Sequence, residues 1–235
     1  MPESQHILDQ LEAIDRAYRA RASEDFLLFI RGLMIPSDAP SGSSLFDSVM
    51  APFQLSWFAK IAPSLHDIRK GIKPLRRRFW VERTKGAAKD SDLSMCLAWL
   101  IAFPTRPLYL QAGAADRDQA AIVKRRMEDL IHYNPWLEDH IKISQGRVEN
   151  VHGLARLDIL AADVAGSHGE TPDVLVVNEL SHIRKWEFVE NLLDNADKVA
   201  RGLVIIATNA GFKGTKAEVW RKNAIENKDK WFFSK

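Results

Sequence analysis

The chain has 235 residues and a mass of 26.6 kDa, with 46 % hydrophobic and 27 % charged residues, so it can bury a sizeable core and is not a disordered tail. Lysine plus arginine number 33 and aspartate plus glutamate 31, so the net charge of +2 gives no global attraction to nucleic acid. The single cysteine, Cys96, excludes an intramolecular disulfide and a thiolate zinc site. No run of residues reaches the ~20 apolar residues of a membrane span, and we expect a soluble cytosolic protein without membrane contact.

Charge is distributed unevenly along the chain. Residues 1–50 carry four basic and eight acidic side chains, whereas residues 69–89 carry nine basic side chains against the single acid Glu82. A run of this kind is typical of a segment that meets phosphate. A solvated turn before a strand explains the triplet at 76–78 equally well when it is taken alone.

The N-terminal part of the chain has a helical pattern. Residues 4–33 place apolar side chains at spacings of three, four and eight, which predicts one or two amphipathic helices with a break near 22–24. A cluster of turn-forming residues follows at 36–44. We therefore predict an N-terminal helical segment and loop over residues 1–44 and a main domain over residues 45–235.

Strands and helices alternate through the main domain. Short aliphatic or aromatic runs predict strands at 79–81, 108–110, 174–177 and 203–207, with a weaker candidate at 157–161 and a hairpin at 141–148. Helices are predicted at 93–103, 116–131 and 183–200. This alternation predicts an α/β fold, with right-handed crossovers and a mostly parallel sheet flanked by helices on both faces.

The segment between the first predicted strand and the following helix lies where a P-loop would lie, but its residues differ from the P-loop pattern. In a P-loop, backbone N–H groups and a lysine bind phosphates, and a following hydroxyl binds Mg²⁺. Lys89 takes the lysine position, Ala88 replaces the last glycine and Asp90 stands where serine or threonine is usual. A surface lysine at the head of an apolar helix is the alternative. The residues that we assign to nucleotide binding here are Thr84, Lys85, Gly86, Ala87, Ala88, Lys89, Asp90 and Ser91.

Polar residues also follow two later strands, at the edge where open parallel sheets bind ligands. Glu179 ends the strand that we expect to lie next to the P-loop strand, where a carboxylate can orient the water that attacks a γ-phosphate. An acid favoured by a helix dipole is the alternative. Thr208 and Asn209 are placed to sense the γ-phosphate, although loop-forming Asn-Ala-Gly chemistry explains them equally well.

In this order, the motifs resemble those of the ATPase domain of the large terminase subunit, the motor that packages double-stranded DNA into tailed-phage and herpesvirus-like capsids. The resemblance covers roughly residues 45–235. Gln54 matches the glutamine with which that family recognises adenine. The other matching segments are the Walker A motif at 82–92, the Walker B motif at 174–179, the coupling motif at 207–211 and a loop at 166–169.

The resemblance implies an ASCE-type P-loop NTPase that binds ATP and Mg²⁺ and hydrolyses ATP to drive viral DNA into a procapsid. It implies that Lys89 stabilises phosphate charge, that Glu179 orients the attacking water and that Arg83 acts as an arginine finger in cis. The implied partners are double-stranded DNA, a portal protein and a small terminase subunit, with the motor forming a homo-oligomeric ring in the host cytoplasm. We assign the DNA contact to three consecutive arginines, Arg76, Arg77 and Arg78.

Two residues depart from the family pattern. Asp90 replaces the Walker A hydroxyl, and Asn178 replaces the Walker B aspartate. Mg²⁺ prefers hard oxygen ligands but does not require the carboxylate to come from one particular loop. We therefore predict a swap, in which Asp90 supplies the negative metal ligand and Asn178 the neutral one. If the swap is wrong, the chain is a nucleotide-binding scaffold with little turnover.

Two further expectations concern the length of the chain. A superfamily-2-like helicase or remodelling ATPase uses similar motifs, but such enzymes generally need a second motor domain, for which 235 residues leave no room. Terminases of this kind also continue into a nuclease with clustered aspartates, and no such cluster follows Gly211. Residues 212–235 are basic and aromatic and resemble the approach to an interdomain linker. We expect an isolated motor domain or a truncated chain, without nuclease activity.

Overall fold

The structure is a computed structural model, and it describes residues 2–162 and 170–235. The loop predicted at 166–169 lies outside the described residues. Along the chain the elements are α1 (Pro2–Glu24), α2 (Phe26–Arg31), β1 (Met34–Pro36), β2 (Ser43–Leu45), α3 (Phe46–Val49), α4 (Pro52–Arg69), β3 (Arg78–Glu82), α5 (Lys89–Ala102), β4 (Leu108–Ala114), α6 (Arg117–Tyr133), β5 (Ile141–Ser144), β6 (Arg147–Asn150), β7 (Ala155–Ala161), β8 (Val174–Asn178), α7 (Trp186–Asp197), β9 (Leu203–Thr208), α8 (Lys216–Glu226) and β10 (Trp231–Ser234). Short 3₁₀ turns lie at Pro135–Asp139 and Leu180–His182.

The main sheet has eight strands in the order β10-β3-β9-β8-β4-β7-β6-β5. The first six are parallel to one another, and β6 runs antiparallel to both of its neighbours, β7 and β5. The predicted α/β class with a mostly parallel sheet is therefore confirmed. The weak candidate strand at 157–161 is also confirmed, as the second half of β7, where it pairs with β4.

The order of the strands in the sheet shows that one prediction was wrong. We placed Glu179 at the end of the strand next to the P-loop strand, but β9 lies between β3 and β8. In the register, Ala207 of β9 pairs with Val81 on one side and with Asn178 on the other. The carboxyl ends of the three strands are therefore level, which brings all three sets of polar residues to one edge of the sheet.

Helices cover both faces of the sheet, as predicted. In β9, Leu203 and Ile205 pack into the layer of α2, α4, α5 and α6, whereas Val204 and Ile206 pack into the layer of α7 and α8. Since both faces are covered, the central strands are aliphatic throughout rather than alternating. Among the described residues, no helix combines the length and apolar composition that a membrane span requires.

The N-terminal helices pack against this core. The predicted break is confirmed: α1 ends at Glu24, and the Asp25 carboxylate caps α2 by accepting from the backbone N–H groups of Leu27 and Leu28. Phe26 makes an edge-on contact with Trp99, whose indole N–H donates to the Ala22 carbonyl at 3.0 Å. The division at residue 44 stays a prediction, although the core is continuous across it.

Several elements were not predicted. The longest of these is α4, which begins at Pro52, has Ala51 as its N-cap residue and contains Pro63. The hairpin of β1 and β2 occupies part of the predicted loop at 36–44. Beyond residue 211 the structure forms α8 and then β10, which extends the sheet by pairing in parallel with β3. The described part of residues 212–235 is thus integral to this fold.

Candidate active site

The candidate site lies where β3, β9 and β8 end. The loop between β3 and α5 is tied to β9, because the Arg83 N–H donates to the Thr208 carbonyl at 3.1 Å. The strand β8 is tied to the same strand, because the Glu179 N–H donates to the Ala207 carbonyl at 2.7 Å. The side chains predicted from three separated segments are therefore brought together at one edge.

Backbone geometry at the site is unusual at two non-glycine residues. Ala88, immediately before α5, has φ +54°, and Glu179 has φ +52°; no other non-glycine residue that the structure describes has positive φ. The left-handed region costs an L-residue roughly 1–2 kcal/mol. Ala88 stands where the P-loop pattern has glycine, so the loop turns as the pattern requires, at an energetic cost. Strained residues of this kind cluster at functional sites.

Lys89 is the centre of the polar cluster. Its Nζ is buried and donates to Glu179 Oε1 at 2.7 Å and to Asp90 Oδ1 at 3.4 Å. Asn178 Nδ2 donates to the same Asp90 oxygen at 2.9 Å. The lysine predicted to bind phosphate, the acid predicted to orient water and both predicted metal ligands are thus in mutual contact.

This cluster leaves two oxygens without a donor. Asn178 Oδ1 and Glu179 Oε2 are buried and accept no hydrogen bond among the described residues. Buried acceptors normally have partners, and hard oxygens are the ligands that Mg²⁺ prefers. The described residues contain no group of three or more His, Cys, Asp or Glu side chains able to hold a metal. The two buried oxygens without a donor fit Mg²⁺, which takes few protein ligands and keeps several water and phosphate oxygens.

A buried ion pair lies behind the loop. Arg83 Nη1 donates to Asp92 Oδ2, and both side chains are almost fully buried. Burial raises the pKa of Asp92 to about 6, and the charge and hydrogen bond of Arg83 and the hydrogen bond of Gln54 offset part of that effect. Arg83 also lies over the Phe53 ring, with its Cζ 4.8 Å from the ring centroid.

Gln54 is fully engaged in the same network. Its Nε2 donates to Asp92 Oδ1 at 2.7 Å, and its Oε1 accepts from the Ala51 N–H at 3.0 Å, which caps the first turn of α4. Asp92 was not identified from the sequence as a functional residue. An acid three residues after Lys89, directly before the largely apolar run at 93–103, was the available signal.

Two cavities border the loop. The larger, of about 590 Å³, is lined by Thr84, Lys85, Ala87 and Asn209, together with residues of the segments 181–182 and 210–212. The smaller, of about 210 Å³, is lined by Gln54, Ala88, Ser91 and Asp92. Its other walls are apolar side chains of the β1 strand, α3 and α5, together with Arg126, Asp129 and Leu130 of α6. The predicted nucleotide-binding residues are therefore divided between the two sides of the loop.

The chain is similar to known proteins both in sequence and in structure. No protein-family model matches the chain. The chain is 25 % identical over 156 residues to the large terminase subunit of Enterobacteria phage HK97. The aligned region covers 61 % of this chain and 30 % of that protein. The structure of the HK97 bacteriophage large terminase matches with a TM-score of 0.69 at 19 % identity, over 88 % of this chain and 42 % of that one. The resemblance to the large terminase subunit is confirmed.

A second solved terminase has the same fold. The large terminase of a thermophilic bacteriophage, in complex with ATP-γ-S, matches with a TM-score of 0.54 at 12 % identity, over 78 % of this chain and 44 % of that one. The chain spans less than half the length of these terminase relatives. The fold is therefore the one that this chain shares with the matched parts of these large terminases.

The remaining predicted residues are placed as follows within this terminase-like fold. Thr208 is buried, and its Oγ1 accepts from the Ser181 N–H at 3.1 Å, which ties β9 to the turn after Glu179. The three arginines at 76–78 lie at the amino end of β3, which is the edge opposite the loop. Arg78 pairs with Asp197 and donates to the Gly202 carbonyl at 3.4 Å.

A further residue pair at the site was missed. Glu82, the last residue of β3, is buried, and Arg221 of α8 donates to both of its carboxylate oxygens. The hydrogen bonds to Glu82 raise the pKa of the Arg221 guanidinium above its ordinary value. Because the two residues are 139 positions apart, no local sequence pattern predicts the contact. The ion pair holds α8 against the end of β3, where the loop begins.

Proposed function

We propose that this chain binds ATP with Mg²⁺ and hydrolyses it to drive double-stranded viral DNA into a procapsid. The observation that carries the proposal is the contact of Lys89 with both Glu179 and Asp90 at the end of β8. This arrangement places a phosphate-binding cation, a water-orienting carboxylate and oxygen ligands for a metal within one cluster. The similarity to terminases supports the same function.

We propose that the nucleotide lies along the loop, with its phosphates on the N–H groups of residues 84–91 and on Lys89. Ser91 and Asp92 continue from the lysine into the smaller cavity, which Gln54 also lines. Its volume of about 210 Å³ and its apolar walls suit a planar base. Thr208 and Asn209 lie at the end of β9, on the γ-phosphate side of the loop.

Catalysis follows from an exchange of partners at Lys89. Without phosphate, its Nζ neutralises Glu179 at 2.7 Å. When phosphate oxygens replace that carboxylate, the lysine stabilises their charge and Glu179 is released to orient the attacking water. The ion pair thus prevents Glu179 from acting until phosphate is bound.

Asp90 and Asn178 would hold the Mg²⁺ ion, which supplies charge neutralisation on the phosphate oxygens. Asp90 contributes the negative oxygen, and Asn178 Oδ1 is a buried acceptor that has no donor among the described residues. We also propose that Arg83 acts in cis on the phosphates, since its Nη2 is buried without a partner among the described residues. To contact the phosphates, the Arg83 guanidinium has to weaken its ion pair with Asp92.

The partners are proposed by similarity to the terminases. They are double-stranded DNA, contacted at Arg76 and Arg77, a portal protein and a small terminase subunit, in a homo-oligomeric ring in the host cytoplasm. Arg78, which we assigned to the DNA contact from the sequence, is instead committed to Asp197 and to the Gly202 carbonyl. Nothing in the site favours a helicase, and a nucleotide-binding scaffold without turnover is the outcome that the following experiment separates.

The first test measures DNA-stimulated phosphate release and, separately, the affinity for a fluorescent ATP analogue. Glu179→Gln is expected to lower phosphate release by about 10²–10⁴-fold while keeping nucleotide affinity. Glu187→Gln, which removes an exposed acid in the first turn of α7, is the matched control and should change neither quantity. Wild-type release no faster than that of Glu179→Gln would make the chain a scaffold, and no ATP binding at millimolar concentration would remove the nucleotide site altogether.

The second test concerns the metal swap and uses nucleotide affinity with and without Mg²⁺. Asn178→Asp alone adds a second charge to the site and should disturb the Mg²⁺-dependent part of the affinity. Combining it with Asp90→Thr restores the usual ligand pair and should restore the affinity. A double variant no better than either single variant contradicts the swap.

A further inference from the structure

The loop between α4 and β3 is held rigidly. The Gly71 and Ile72 N–H groups donate to carbonyls in the last turn of α4, at 3.0 and 2.8 Å. Ser64 Oγ donates to the Arg76 carbonyl at 2.8 Å, and the Val204 N–H donates to the Arg77 carbonyl at 2.8 Å. The loop backbone is therefore fixed at both ends to the core.

Apart from the buried Pro74, its side chains are at least partly exposed, and they are basic or apolar. Leu75 is 104 % exposed and Ile72 is 52 % exposed, although large apolar residues are normally buried. Arg76 donates to the Lys228 carbonyl at 3.1 Å, which brings the turn before β10 beside the loop. The basic loop surface, as we define it, consists of Lys70, Lys73, Arg76, Arg77, Lys228 and Lys230.

The charges of this surface are available to a partner. Among the described residues, the side chains of Lys70, Lys73 and Arg77 make no hydrogen bond or ion pair, and all six basic groups are at least partly exposed. Arg78 differs, because its guanidinium is committed to Asp197 and to the Gly202 carbonyl. Six basic side chains against the one acid at position 229 make a strongly positive patch on a chain with a net charge of only +2.

We propose that the basic loop surface contacts the phosphates of double-stranded DNA, with Leu75 as an apolar contact at its centre and Arg78 as a structural residue outside it. The proposal deepens the proposed function and rests on it for the choice of partner. An array of basic groups on a rigid backbone suits the regular, sequence-independent phosphates of a duplex.

The position of this surface defines its relation to the nucleotide site. It lies at the amino end of β3, whereas the loop at 83–88 follows the carboxyl end of the same strand, roughly 13 Å away at about 3.3 Å per residue. The unit of α8 and β10 touches both ends, through Arg221 on Glu82 and through Lys228 on Arg76. DNA contact and ATP binding therefore occur at opposite edges of the sheet, connected by one strand and one helix–strand unit.

The experiment measures binding of the whole chain to a 30-base-pair duplex by fluorescence anisotropy over a range of salt concentrations. The test variant is Lys73→Ala with Arg77→Ala, and the matched control is Arg125→Ala with Lys142→Ala, which removes the same two charges from exposed positions elsewhere. Loss of two phosphate contacts lowers the slope of log K against log salt by about 1.8. We expect this reduction in the test variant only, together with binding at 0.1 M salt that is about 60-fold weaker if the two affinities converge near 1 M salt.

Three further measurements complete the test. Leu75→Ser should weaken duplex binding without changing the salt slope, because it removes no charge. Equal slopes in the test and control variants, or no duplex binding by the wild type, would overturn the proposal. Tighter wild-type binding to anionic phospholipid vesicles than to the duplex, lost in the test variant, would assign the surface to a membrane and also overturn it. Affinity for the ATP analogue, measured on the same variants, reports separately on the nucleotide site.

Discussion

Asp92 is an acid buried at 1 % side-chain exposure in the first turn of α5, where it contacts Arg83 and Gln54. Its pKa rises from 3.8 to about 6 because burial disfavours the charged form more strongly than the two contacts favour it. A group whose folded-state pKa is raised stabilises the fold fully below its unfolded pKa and loses that contribution as pH rises through the folded pKa. The wild type should therefore become less stable between about pH 4 and pH 6.

The magnitude follows from the shift. A change of about two pKa units corresponds to about 3 kcal/mol at 1.36 kcal/mol per unit, and about two thirds of this falls between pH 4 and 6. Asp92→Asn keeps an acceptor for Gln54 and has no charge to bury. We predict that the free energy of unfolding of Asp92→Asn, relative to the wild type, increases by about 2–3 kcal/mol from pH 4 to pH 7.

Urea denaturation at four pH values between 4 and 7 measures this difference. Asp118→Asn, at an exposed position in the first turn of α6, is the matched control and should differ from the wild type by less than about 0.5 kcal/mol. A difference between Asp92→Asn and the wild type that stays constant with pH would show that burial does not raise the pKa of Asp92. A variant that becomes relatively less stable as pH rises would show that the pair with Arg83 outweighs burial.

Three further stability predictions use urea denaturation at pH 7. Ala88→Gly relieves a left-handed φ and should stabilise the fold by about 1 kcal/mol, whereas Ala87→Gly should not stabilise it. Arg221→Met leaves the buried Glu82 carboxylate unpaired and should cost about 3–5 kcal/mol, with Arg221→Lys losing less. Asn134→Ala removes three hydrogen bonds of 2.8 Å that join α6 to the β1 strand and its own last turn, and should cost about 2–4 kcal/mol. An unchanged midpoint contradicts each prediction.

The fold class was predictable because its signals are local. The aliphatic runs at 174–177 and 203–207 are buried on both faces, so their composition alone identifies them as central strands. The break near 22–24 was predictable for the same reason, since Asp25 caps a new helix through its own neighbours. By contrast, α4 was missed because proline occupies its first position and also lies inside it, at Pro63. The strand β10 was missed because its strand character depends on pairing with β3, 153 residues earlier.

The candidate site divides in the same way. The P-loop pattern indicated Lys89 and Asp90. The polar end of an apolar strand indicated Asn178 and Glu179, because such strand ends meet at one edge of a parallel sheet. Their mutual contacts, the insertion of β9 between β3 and β8 and the commitment of Arg83 to Asp92 were decided only by the tertiary structure. These relations depend on distances between segments far apart in the chain. Local composition specifies which element a residue belongs to, whereas the partner of a buried charge is set by packing.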